Sequence, residues 1–137
     1  MEIEVTPIVR GSCHGPAIVL DEPVSFWGGF DAETGRIIDQ QHPQCGMSLT
    51  GAIIFMRSGR GSSSASSVLT EAVRLGTAPA AFVLRDPDEI LTLGALVAEE
   101  VYGTVTPIVI TQEAVEIQTG QPVTLHQNTL TATASLP

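Results

Sequence analysis

The spacing of apolar positions changes partway along the chain. Through residue 56 they come in short runs cut by glycine, proline and acidic residues. Residues 3–5, 8–9, 17–20 and 24–27 read as short strand pieces, and 31–36 as a turn leading into Ile37 and Ile38. Residues 51–56 are the strongest candidate for a buried strand. After residue 62 the steps become three and four. Ala65, Val68, Leu69, Ala72 and Leu75 mark one face of a helix. Serines before it can cap free N–H groups, and Gly76 can end it. Residues 79–84 return to a buried-strand pattern. Residues 86–89 then predict a second helix start, with Asp86 as N-cap, Pro87 as first helical residue and Glu89 as capping-box acid. Its apolar face runs through Ile90, Leu93, Leu96, Val97 and Val101 to Gly103, and Gly94 within it allows close packing. Residues 106–110 read as a strand. The threonine-rich tail, 115–134, reads as two strands joined near Gly120.

The order is a β-rich region, then β, helix, β, helix, β and further β. It predicts one mixed α/β domain over residues 1–137, a compact barrel-like or sandwiched sheet with helices packed on it. Composition narrows the function. The chain has 137 residues, is 43% hydrophobic and 15% charged, and carries a formal charge of −9. All six basic residues are arginines. It is too apolar for a disordered acidic tail. Its charge argues against nucleic acid and anionic membrane as partners. No apolar run is long enough to span a bilayer, and the acidic opening is not a secretory signal, so a cytoplasmic protein is expected. Cys13 and Cys45 lack metal-ligand spacing and are expected as free thiols; His14, His42 and His126 lie far apart. No metal is expected on this chain alone. An enzyme this small is expected to need a second wall for its pocket from another chain.

The segment of residues 57–67 carries most of the chemistry. It joins the strongest strand to the first helix, where free N–H groups and the positive end of a helix are presented. Gly59 and Gly61 permit close backbone approach, and Arg57 and Arg60 bring positive charge into an acidic chain. The pattern suits a carboxylate or phosphate, and equally a serine-rich helix cap. It is not a nucleotide P-loop, which needs Gly-Lys. Elsewhere, Trp27 is expected to pack in the core and Asp31 to cap its turn. Asp86 and Asp88 read as cap residues, and Glu99 and Glu100 as a solvated helix face.

The run Gly59-Arg60-Gly61-Ser62-Ser63-Ser64-Ala65-Ser66 and the earlier Ser25-Phe26-Trp27-Gly28-Gly29-Phe30-Asp31 resemble the small subunit of the aconitase X enzymes. So do the opening Gly11-Ser12-Cys13-His14-Gly15-Pro16-Ala17, the turn His42-Pro43-Gln44-Cys45-Gly46 and residues 89–103. The resemblance implies a swivelling β/β/α domain that closes over a large subunit holding an iron–sulfur cluster. It implies a hydro-lyase, inactive as one subunit alone, that dehydrates a small hydroxy acid: cis-3-hydroxy-L-proline first, phosphomevalonate as the alternative. Related dehydratases carry a Gly-Ser-Ser-Arg loop here. Gly61-Ser62-Ser63 matches its first three positions, which implies that Ser62 is the general base. Arg60, Gly61, Ser63 and Ser64 are the implied substrate-binding residues. Ser64 stands where those enzymes have the arginine that binds substrate carboxylate, so Arg60 or Arg57 is expected to supply that charge. A non-catalytic anion-binding or interaction domain is the remaining alternative.

Overall fold

A computed structural model describes residues 1–58, 64–113 and 116–133. The elements are β1 (Glu2–Glu4), β2 (Thr6–Val9), β3 (Ser12–Val19), β4 (Phe30–Asp31), β5 (Arg36–Ile37), β6 (Ile53–Met56), α1 (Ala65–Leu75), β7 (Ala81–Leu84), α2 (Glu89–Tyr102), β8 (Ile108–Ile110), β9 (Pro122–His126) and β10 (Thr129–Ala132). Eight strands form one sheet in the order β1-β10-β9-β3-β6-β7-β8-β2. β3, β6, β7 and β8 run parallel; β9, β10, β1 and β2 pair antiparallel with their neighbours. The sheet's two end strands, β1 and β2, are consecutive in sequence and meet at Val5, whose N–H donates to Asn128 O (2.8 Å). A single N-terminal segment thus nearly closes the sheet into a barrel.

The parallel strands alternate between two cores. Ala17, Ile53, Phe55, Ala81, Val83 and Val109 point into the barrel, where they meet Val123, Leu125 and Leu130 from β9 and β10. Ile18, Ile54, Met56, Phe82, Leu84 and Ile108 point the other way, toward Leu69 and Ala72 of α1 and Leu91 and Ala95 of α2. Burial on both faces explains why β6 and β7 read as unbroken apolar runs. The layers are therefore sheet, sheet and helix: the swivelling β/β/α arrangement.

The helices lie close because Gly94 has no side chain. A Cβ there would sit 2.8 Å from Ser66 O. Thr70 Oγ1 lies 2.9 Å from Ser66 O and 3.0 Å from Gly94 O, so one hydroxyl is shared between the helices. Both helices end at a left-handed glycine, Gly76 and Gly103, as their sequences predict.

Several expectations need correction. The N-cap of α2 is Asp88, not Asp86: Asp88 Oδ1 accepts from Ile90 N and Leu91 N at 3.0 Å. Asp86 is otherwise engaged, its N–H with Arg57 O and its carboxylate with the Arg57 guanidinium. Pro87 consequently lies before the helix, and Glu89 is its first residue rather than the capping-box acid. Ser64 holds the N-cap position of α1 in right-handed helical backbone (φ −71°, ψ −16°) and makes no side-chain capping bond. The tail hairpin turns at residues 127–128, with Gln127 at φ 54°, rather than near Gly120. Gly120 instead turns the chain into β9 while its N–H donates to Ala17 O. Trp27 is 59% exposed and does not pack in the core. The core position next to it belongs to Phe26, whose ring lies 4.6 Å from Phe30 and 5.6 Å from Phe82. Residues 24–27 form no strand.

Candidate functional site

The parallel strands end together, and their carboxyl ends open into a cleft of about 320 Å³. Crevices at this edge of α/β sheets are where ligands bind in such folds. Val19, Leu20, Phe55, Met56, Val83 and Leu84 form an apolar floor, and Arg57, Arg85, Thr111 and Glu113 ring the mouth. The same strand ends deliver the two helices. α1 follows β6, so Arg57-Ser58 on one side and Ser64 on the other are the described flanks of residues 59–63 at this edge. Arg60, Gly61, Ser62 and Ser63 lie outside the described residues. Ser64 is exposed at the N-terminus of α1.

Arg57 and Arg85 occupy equivalent places. Met56 and Leu84 are paired across β6 and β7, and each arginine follows directly. Arg57 O accepts from both Arg85 N and Asp86 N at 3.0 Å. Arg57 Nε donates to Asp86 Oδ2 at 2.9 Å. Both side chains are largely exposed, so this ion pair contributes only about 0–1 kcal/mol. Arg85 O accepts from Gln112 Nε2, and Thr111 N donates to Leu84 O at 2.9 Å. Among the described residues, Arg85 has no carboxylate in ion-pair reach. Sequence reasoning passed over Arg85 and Thr111. The available signal was repetition: two buried four-residue strands, Ile53–Met56 and Ala81–Leu84, are each followed at once by arginine.

The 39–46 turn braces the opposite side of the cleft. Gln44 Nε2 donates to Val19 O (2.9 Å), and Gln44 Oε1 accepts from Asp21 N (3.0 Å). Gln44 is held in turn by its own N–H, which donates to His42 Nδ1 at 3.0 Å. His42 is buried and its Nε2 donates to Glu22 O at 2.7 Å, which fixes the tautomer. His42 is thus a packed structural histidine, while His14 is exposed on β3. Asp31 caps its turn as expected, accepting from Glu33 N and Thr34 Oγ1.

The described donors do not fit an iron–sulfur cluster. No three His, Cys, Asp or Glu side chains gather among the described residues. Burial pushes the Cys13 thiol up to about 11, away from the thiolate a cluster needs. Cys45 is exposed in the 39–46 turn, with its thiol directed at Ile37 O.

Known proteins share this architecture. The aconitase X swivel domain family matches residues 2–133. A cis-3-hydroxy-L-proline dehydratase of Pseudomonas aeruginosa is 48% identical over 101 residues, 74% of this chain but only 17% of that protein. The chain thus matches under a fifth of that relative's length. The phosphomevalonate dehydratase small subunit of Methanothermobacter thermautotrophicus is 41% identical over 98 residues, covering 72% of this chain and 75% of that subunit. The crystal structure of Thermococcus kodakaraensis aconitase X, in its holo-form, superposes with a TM-score of 0.87 at 26% identity, covering 98% of this chain and 99% of the matched one.

Proposed function

We propose that this chain, which belongs to the aconitase X swivel domain family, is the small subunit of a hydro-lyase that dehydrates a small hydroxy acid. The observation that carries the reading is positional. A cleft of small-molecule size opens at the end of β6, from which the chain continues through Gly61-Ser62-Ser63 to α1. The cleft is open to solvent at its mouth, where a large subunit is the partner that would close over it.

Dehydration takes a proton from the carbon beside a carboxylate while hydroxide leaves the neighbouring carbon. A carbon–carbon double bond forms, and the proton and hydroxide depart as water. Ser62 is the proposed base. Neutral serine is a poor base, so its alkoxide needs stabilisation by loop N–H groups, the positive end of α1 and a nearby cation. Gly61, Ser63 and Ser64 supply the N–H groups and hydroxyls in this reading, and Arg60 the charge. The departing hydroxyl needs an acid or a Lewis acid. In this reading that group is supplied by the large subunit.

The substrate we favour is cis-3-hydroxy-L-proline, supported by the 48% identity to a dehydratase of that name. Phosphomevalonate is the second reading, supported by the match to separate small subunits of similar length. Assay of the paired subunits on both acids decides between them. In the active pair, Ser62→Ala is expected to remove most turnover while leaving assembly intact; near-normal turnover would sink the assignment of Ser62.

A further inference from the structure

The geometry points to Arg85 as the residue that grips the substrate carboxylate, a role for which the 59–64 segment offers no arginine at position 64. The inference rests on the hydro-lyase reading and deepens it. Three observations carry it. First, Arg85 lines the cleft mouth over an apolar floor, where a small acid would leave its charged end toward the arginine. Second, Arg57, its counterpart on the adjoining strand end, is already bonded to Asp86, whereas among the described residues no carboxylate is within ion-pair reach of Arg85. Third, the Arg85 backbone is held on both sides, its N–H by Arg57 O and its carbonyl by Gln112 Nε2. The fixed backbone anchors the root of the side chain at the cleft, and the planar guanidinium offers paired donors that match a carboxylate. Glu113 also lines the mouth. Its carboxylate opposes any anion beside it, so a bound acid must keep its carboxylate on the Arg85 side of the mouth.

The cation is sought here rather than at Arg57 for a chemical reason. Carboxylate binding at Arg57 would set a second anion beside the Asp86 carboxylate that Arg57 Nε already holds. At Arg85 no described carboxylate competes for the guanidinium. Arg85 is thus a substrate-binding residue that raises affinity without moving a proton.

The test uses the assembled pair of subunits and cis-3-hydroxy-L-proline. Arg85→Gln is expected to raise KM about tenfold or more with a smaller change in kcat, and Arg85→Lys to recover part of the loss. Two non-reacting competitors identify the contact: L-proline, which keeps the carboxylate, and L-prolinol, which carries an alcohol there. The wild-type pair is expected to prefer L-proline strongly, and Arg85→Gln to erase that preference. An active pair in which Arg85→Gln leaves both KM and the L-proline preference unchanged overturns the assignment and spares the hydro-lyase reading. Should the active pair use phosphomevalonate instead, the same variant is read by its KM for that acid. A wild-type pair inactive on both acids overturns the two together. Arg85 is exposed, so unchanged thermal unfolding of the variant separates lost binding from lost fold.

Discussion

At the residue scale, the two cysteines differ in environment and so in chemistry. Cys45 is exposed in a turn; Cys13 sits half-buried on β3 with its thiol pushed up to about 11 by desolvation. A disulfide-exchange reagent at mildly alkaline pH is expected to label Cys45 rapidly and Cys13 slowly, as thiol counting over time will show. The same shift links stability to pH. Cys13 ionises near 9.0 when its surroundings do not perturb it, as in the unfolded chain, and near 11 when folded. Its contribution is therefore complete below pH 9.0 and is lost as pH climbs toward 11. Urea midpoints measured across that range are expected to fall more steeply for the wild type than for Cys13→Ser. His42 matters instead through its hydrogen bonds. Replacing it with Ala removes the acceptor for Gln44 N–H and the donor for Glu22 O. A loss of about 1–3 kcal/mol follows if either partner is left unsatisfied, measurable by chemical denaturation.

At the element scale, the helix pair turns on Gly94. Gly94→Val would force a side chain into Ser66 O and Leu69 Cβ, and is expected to cost roughly 1–3 kcal/mol by calorimetry. Asp88→Ala, which leaves two N–H groups of α2 uncapped, is expected to cost about 1 kcal/mol. These elements also show what a sequence discloses. Spacing puts the apolar face of α2 on Leu93, Leu96, Val97 and Val101, which are exposed; the buried residues are Leu91, Gly94, Ala95 and Ala98, because the close approach to α1 at Gly94 selects small side chains. The face of α1, the glycine stops of both helices and the buried strands 53–56 and 81–84 follow from spacing alone, because spacing is set by which side meets the core. The start of α2 does not. Asp86 and Asp88 are chemically equal as caps, and the choice falls to Asp88 because Arg57, 29 residues earlier, occupies Asp86. Trp27 is misjudged for a similar reason. Phe26 and Trp27 are both apolar, and only the position of Phe82, far along the chain, selects Phe26 for the interior. At the site, the serine–glycine segment stands out by local composition, whereas Arg85 enters only when four strand ends are brought level.

At the scale of the whole molecule, one acidic chain presents an apolar-floored cleft, with its sole tryptophan exposed elsewhere on the surface. In the isolated chain a neutral quencher is expected to reach Trp27 freely, as fluorescence titration will check. Sheet closure is the other property of the whole. β1 and β2 cover the edges of β10 and β8. Deleting residues 1–9 exposes both edges at once, and the truncated chain is expected to aggregate, as light scattering during refolding will report.

That closure also sets an order of events during synthesis. Glu2–Glu4 must find Thr129–Ala132, and Thr6–Val9 must find Ile108–Ile110, so strands made early in this domain pair with strands made much later in it. The β6-α1-β7-α2-β8 unit, whose contacts are nearer in sequence, has its partners available sooner. Strands β1 and β2 must wait unpaired until β10 and β8 have been made, and the charged residues Glu2 and Glu4 keep that waiting segment from pairing with a stranger.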